Sequence, residues 1–290
     1  MLSRRQKKLT VVISPLQALQ EDQVKGLEER GLTYGTFING TLSVYERSFR
    51  LEQVRLGEKD LLYISPEQLR SISMRTLLHE RPPALWVIDE AHCISQWGHD
   101  FRPDYRYVPK FIQELYEEKK LPLPLLALMT ATATVQVRKD IAKLFEQAGL
   151  SIKREIIASG VRENLSYQVV PVDRQSKEQA ILRAVEEQLD KGGAVLVYTT
   201  TRKNAEKIAG LLQQAEIEAR FYHSKISSQD KQEILEQFKT KELNVVVATC
   251  AFGMGIDRAD VRAVLHHSMS ANLEGYVQEA GRAGRDGQPV

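Results

Sequence analysis

Short apolar, β-branched runs recur along the chain, separated by stretches in which apolar residues return at helical spacing. The runs are LTVVIS (9–14), DLLYIS (60–65), ALWVID (84–89), LLALMTAT (125–132), AVLVYT (194–199), ARFYH (219–223), NVVVAT (244–249) and AVLHH (263–267). Most are continuously apolar rather than alternating, the pattern of strands covered on both faces. Between them, Ala205, Ile208, Ala209, Leu211 and Leu212 mark one amphipathic helix, and Ile234, Leu235 and Phe238 another. Strand and helix in repeated alternation predict parallel α/β sheets. The series breaks at SGVRENLSYQVVPVDRQS, which is polar, contains Gly160 and Pro171, and has no helical period. We read two α/β domains, 1–158 and 175–290, joined by a linker over 159–174. One continuous sheet of all the runs is the alternative.

Composition narrows the class. At 290 residues with 42% hydrophobic and 27% charged positions, the chain can bury two cores. With 40 basic and 38 acidic residues, any phosphate-binding surface is local rather than global. No apolar run has the length of a membrane span. The opening MLSRRQKKLTVVISPL lacks a small-residue cleavage site, so it does not read as a signal peptide. Two cysteines, Cys93 and Cys250, build neither a zinc module nor a disulfide scaffold. The expectation is a reduced, cytoplasmic protein.

Candidate chemistry gathers at the ends of the apolar runs. Asp89 and Glu90 leave the run ALWVI as adjacent carboxylates, costly to bury without a task or a partner. At a strand's carboxyl end they face the crevice where open α/β sheets bind ligands. One could hold Mg²⁺ through water and the other polarise an attacking water. An ordinary strand-to-loop boundary is the plain alternative. In QEAGRAGRDG (278–287), Arg282 and Arg285 would share one face if the segment is helical, and its glycines imply close approach to another domain or a ligand. Guanidinium forks stabilise phosphoryl-transfer charge; a solvated basic turn is the alternative. In TCAFGMGID (249–257), Gly253 and Gly255 allow backbone to approach phosphate or ribose, and Asp257 can accept from a sugar hydroxyl. Trp97, Phe101 and Tyr105 recur at four-residue intervals among His92, His99 and Arg102. Such a loop can stack bases and hold phosphates, or can anchor itself to the core.

The order of these pieces resembles the superfamily 2 helicases and, within them, the RecQ family. VVISPL (11–16) resembles motif Ia, YISPE (63–67) motif Ib, IDEAH (88–92) motif II and TATAT (130–134) motif III. VLVYTTTR (195–202) resembles motif IV, VVVATCAFGMGID (245–257) motif V and QEAGRAGRDG motif VI. HCISQWGHDFRPDY (92–105) is similar to the family's aromatic-rich loop, and RENLSY (162–167) to the start of its second domain. Ala280 stands where the family usually has a larger residue such as Thr.

The resemblance implies two RecA-like parallel-sheet lobes and ATP-dependent, 3′-to-5′ unwinding of DNA, single-stranded or forked, in recombination and repair at the bacterial nucleoid. It implies ATP and Mg²⁺ as cofactors, no zinc site and no membrane. Asp89 would organise Mg²⁺, with Glu90 beside it activating water. Arg282 and Arg285 would meet the γ-phosphate. Gln278, Gly255 and Asp257 would position nucleotide and link the lobes, and His92 would carry the DNA signal. Ser14, Pro15, Ser65, Ser95, Trp97, Phe101, Arg102 and Thr249 would lie along the DNA. The pattern G-x-x-x-x-G-K-[ST] occurs nowhere in the chain. The family's P-loop and adenine-reading glutamine lie upstream of VVISPL, and its zinc-binding and winged-helix parts follow motif VI. The expectation is therefore a first lobe without its P-loop strand, a second lobe truncated at its end, and a missing N-terminal segment encoded upstream. The alternative function is a non-catalytic fragment that binds single-stranded DNA. Without the P-loop strand, LLALMTAT would have an unpaired apolar edge.

Overall fold

The computed structural model describes residues 8–96, 100–158, 160–173, 175–250, 252 and 258–290. The chain forms two compact units, residues 1–158 and 159–290.

In the first unit five strands lie in the order β2-β3-β1-β4-β5. They are β1 (Thr10–Ile13), β2 (Gly35–Ile38), β3 (Leu61–Ile64), β4 (Leu85–Ile88) and β5 (Leu125–Leu128), and every pairing is parallel. Helices α1 (Gln17–Glu29), α2 (Val44–Arg55), α3 (Ile72–Glu80), α4 (Tyr107–Glu118) and α5 (Val135–Gln147) connect and cover them. Val11, Ile13, Leu62, Ile64, Trp86 and Ile88 are buried with α4 residues Phe111, Ile112 and Leu115. Their mutual burial is the driving force that holds helix to sheet. Strand β2 is absent from the sequence reading. GTFI is only four residues long and begins on a glycine, and its register against β3 rather than its own pattern makes it a strand. The run read through 125–132 leaves the ladder after Leu128. Strand β5 is an edge whose outer side has no strand among the described residues, and Leu125 there is 61% exposed.

In the second unit β6 (Ala194–Tyr198), β7 (Ala219–Tyr222), β8 (Val245–Ala248) and β9 (Val261–His266) lie in the order β7-β8-β6-β9, again all parallel. Helices α6 (Lys177–Asp190), α7 (Arg202–Gln214), α8 (Ser228–Thr240) and α9 (Leu273–Ala280) accompany them. Two apolar layers, one around Phe238 and Phe252 and one around Val185 and Ile208, sandwich the central strands. The sheets are therefore separate, and the single-sheet alternative falls. No helix among the described residues is long and apolar enough to cross a membrane.

Candidate functional site

The parallel sheet of the first unit delivers Ser14, Ser65, Asp89 and Met129 to one edge, because each follows directly on its strand. Asp89 N–H still donates to Ile13 O at 2.9 Å, the last rung of the ladder. Glu90 then takes the left-handed conformation, with φ 49° and ψ 45°. The other non-glycine residues with positive φ among those described, Lys120, Glu216 and Lys241, are exposed and close helices. Glu90 instead turns a buried strand, and such strain concentrates at functional sites.

Burial, and after it the charge of Glu90, raises the Asp89 carboxyl above its ordinary range. The Glu90 N–H at 3.0 Å and Ser14 Oγ at 3.5 Å only partly offset this. One oxygen of Glu90, Oε2, is buried without a hydrogen bond, although it lies 3.2 Å from His92 Nδ1. That nitrogen meets Thr130 Oγ1 at 2.9 Å, so the buried His92 joins DEAH to TATAT. Two close carboxylates, one raised and one with an unmet oxygen, suit a cation held through water. No group of three or more His, Cys, Asp or Glu placed to hold a metal ion by themselves is present among the described residues. Mg²⁺ needs only one or two carboxylates where phosphate oxygens and water complete its shell.

The aromatic-rich stretch is tied to this edge by polar contacts. Tyr105, fully buried, donates from its hydroxyl to Asp89 O at 3.0 Å. Arg102 donates to Pro15 O at 2.8 Å and pairs with Asp100 at 2.9 Å, so its guanidinium serves an internal clamp between VVISPL and the loop. Ser95 Oγ donates to Asp140 on α5 at 2.6 Å. The hydroxyls of Ser14 and Ser95 thus point at carboxylates of the chain, and Ser65 Oγ is buried without a partner. Phe101 is half-buried. Trp97 and His99 lie outside the described residues. Burial pushes the Cys93 thiol up to about 12, leaving it no nucleophile at neutral pH. Tyr105→Phe should cost ~1–2 kcal/mol, because it strands the Asp89 carbonyl. Urea unfolding of the first unit checks this, and an unchanged midpoint would refute the anchoring role.

In the second unit the helical face expected for Arg282 and Arg285 does not form. Helix α9 ends at Ala280, and turns carry 281–286. Arg282 is buried, its Nε unpartnered and its cation disfavoured by burial, whereas Arg285 is exposed. The glycines answer a contact within this unit. A Cβ at Gly284, where φ is +54°, would stand 2.6 Å from Asn164 Nδ2. Asn164 donates there to Gly284 O at 2.8 Å, Arg162 Nη1 donates to Gly281 O at 2.8 Å, and Arg162 Nη2 also reaches Gly284 O. RENLSY, placed within the linker and likened to the start of the second domain, therefore grips the arginine loop; sequence reasoning missed the grip itself because it spans more than a hundred positions. Gln278 is half-buried. Its neighbour Glu279, also missed, accepts from His266 Nε2 at 3.0 Å and from Ser270 Oγ. Burial raises the Glu279 carboxyl, but these hydrogen bonds outweigh it and leave it below the usual range. Thr249 is half-buried, with its N–H on Tyr222 O at 3.1 Å. Gly253, Gly255 and Asp257 lie outside the described residues.

Residues 1–141 match the DEAD/DEAH box helicase family model and residues 176–287 match the helicase conserved C-terminal domain. The chain is 42% identical over 278 residues to "ATP-dependent DNA helicase RecQ" of Bacillus subtilis, covering 96% of this chain and 45% of that protein. It is 38% identical over 283 residues to "Probable ATP-dependent DNA helicase RecS" of the same organism, covering 97% of this chain and 54% of the relative. The chain thus spans about half the length of these curated relatives. Among solved structures, helicase MrfA bound to DNA superposes with a TM-score of 0.75 at 19% identity, covering 98% of this chain and 42% of that one. S. cerevisiae Dbp5 bound to RNA and ADP BeF3 gives 0.67 at 17% identity, covering 97% and 69%. At those identities the structural likenesses speak for the fold of two RecA-like lobes. The motif order, the two helicase family models and the 42% and 38% identities to curated relatives make the chain a member of the RecQ family of superfamily 2 helicases.

Proposed function

We propose that these two units form the motor region of an ATP-dependent DNA helicase that moves 3′ to 5′ on a single strand. The observation that carries the reading is the raised Asp89 carboxyl beside the strained Glu90, at the carboxyl edge of a parallel sheet. Bound magnesium nucleotide supplies the phosphoryl group for transfer to water. Asp89 would hold the cation's water shell, and Glu90 would accept a proton from the attacking water through Oε2, which makes no hydrogen bond. Arg285, exposed, and Arg282, whose Nε lacks a partner, would meet phosphate charge. Gln278, Gly255 and Asp257 would contact nucleotide. His92 would relay the state of the aromatic-rich loop through Thr130, and Tyr105 would hold that loop on Asp89. Trp97 and Phe101 would stack bases, with Ser14, Pro15, Ser65, Ser95, Arg102 and Thr249 shaping the edge along which the strand lies.

A second reading, single-strand binding without hydrolysis, is favoured for these 290 residues by the absence of a G-x-x-x-x-G-K-[ST] cradle. Both readings predict weak binding of single-stranded DNA with strong salt dependence, since phosphate contacts release counterions. Trp97→Ala should weaken it by ~1–3 kcal/mol, the worth of one stacked base. Fluorescence anisotropy at low salt checks this, and a folded sample that binds no DNA would refute both.

A further inference from the structure

A shallow groove of about 560 Å³ runs along the flank of the first unit, between α3 and the end of α4. No residue assigned above to nucleotide or DNA lines it. Its cations are Arg70, Arg75 and Lys119. The Arg75 guanidinium sits 5.7 Å over the Phe111 ring and donates to Tyr107 Oη at 3.3 Å, and it makes no ion pair among the described residues. Lys119 makes no ion pair among the described residues and is exposed. Glu80 lines the groove as well, and it and the acids around it are shared with neighbouring side chains. Glu80 turns to Arg55 at 2.7 Å, Glu118 faces His79 at 3.6 Å, and Asp104 meets Arg70 at 2.8 Å while leaving that arginine 60% exposed. Among the described residues, Arg75 and Lys119 are therefore the two lining cations without an ion pair, and the Phe111 ring beneath the Arg75 guanidinium favours its position.

Its upper end lies one short turn from the carboxyl edge of the sheet. Arg70 ends the 3-10 turn Pro66–Arg70 that leaves β3 through Ser65. Its partner Asp104 follows the aromatic-rich stretch that Tyr105 pins to Asp89. From there α3, nine residues long, carries the groove about 13 Å down the flank. The available rings do not suit base stacking. Phe111 is buried, and Tyr107 lies under the Arg70 guanidinium, 4.9 Å away. What the groove offers is charge at fixed positions, which fits a phosphodiester backbone and reads no sequence.

We propose that this groove is a sequence-independent phosphodiester site that carries single-stranded DNA beyond the carboxyl edge of the first unit, with Arg75 and Lys119 each neutralising one phosphate. It rests on the reading of the chain as a DNA-binding motor. An acidic peptide is the rival occupant, since Ile72 at the rim is 84% exposed.

The test measures anisotropy of a short oligonucleotide (~6 nucleotides, the scale of one binding platform) and a longer one (~16 nucleotides) across a salt series. The chain is compared with the Arg75→Ala/Lys119→Ala variant and the charge-keeping Arg75→Lys/Lys119→Arg variant; Lys119→Ala alone covers the case in which loss of Arg75 disturbs packing. For the longer oligonucleotide the double alanine variant should lower the log–log salt slope by ~1.4, and Lys119→Ala alone by ~0.7, at about 0.7 per phosphate contact on single strands. The charge-keeping variant should restore most of that slope, and the loss should be confined to the longer oligonucleotide. Equal slopes for all variants while the chain binds both oligonucleotides would remove the groove and leave the DNA reading standing. Binding of neither oligonucleotide would remove both. A poly-glutamate peptide that binds the chain, loses binding in the alanine variants and leaves the DNA slope untouched would overturn the proposal in favour of a protein partner.

Discussion

Incubated with Mg²⁺, ATP and single-stranded DNA, the 290-residue chain is expected to show no measurable DNA-stimulated turnover. Phosphoryl transfer is almost wholly positioning and charge stabilisation, and an arginine finger alone contributes ~10³–10⁵ in rate. The Asp89–Glu90 pair and the arginines of 278–287 are present, yet no glycine in the sequence is followed by lysine. A phosphate cradle with its lysine should matter at least as much as an arginine finger. Loss on that scale places turnover below detection. A coupled assay decides it, with Glu90→Gln as the control. Turnover that disappears in Glu90→Gln would show that other residues of this chain can hold the triphosphate, and would reject the second reading.

Arg258→Ala is expected to have the largest effect on stability, ~3–5 kcal/mol, the scale for removing one member of a buried ionic network. Arg258 is 4% exposed. Its guanidinium donates to Phe238 O at 2.9 Å, Leu243 O at 2.7 Å and Asn244 Oδ1 at 2.7 Å, and pairs with Asp260 at 2.9 Å. It also lies 4.6 Å over the Phe238 ring. One side chain thus ties the end of α8 to the approach of β8 and the start of β9. Alanine would strand two buried carbonyls and leave Asp260 with Lys241 alone, at 3.2 Å. Amide exchange in β8 should accelerate strongly. Unchanged protection there would reject this account.

Much of the architecture is local in origin and was legible without coordinates. Continuous apolar runs such as VVVA in β8 and AVLVY in β6 have all residues buried, and their lack of alternation marked them as interior parallel strands. Helices α7 and α8 announced themselves by period and carry side-chain caps at Thr201 and Ser227. The position of Asp89 and Glu90 at a strand's carboxyl end followed from the same reasoning, because the carboxylates directly succeed an apolar run.

What the tertiary structure alone decided is the environment of each candidate side chain. A four-residue strand such as β2 has too few positions for a period, so only its ladder with β3 identifies it. The raised Asp89 carboxyl depends on burial contributed by neighbouring elements, and the strained Glu90 backbone on the turn that leads to His92. Arg282 and Arg285 diverge because Gly281 and Gly284 turn the chain under Arg162 and Asn164 rather than continuing the helix. Arg102 spends its charge on Pro15 O and Asp100 because the loop folds back against β1's exit. Periodicity is a property of neighbours in sequence and survives in the bare letters. Desolvation, pairing and the direction of a guanidinium are set by groups tens to more than a hundred positions away, and only the folded chain brings them within reach.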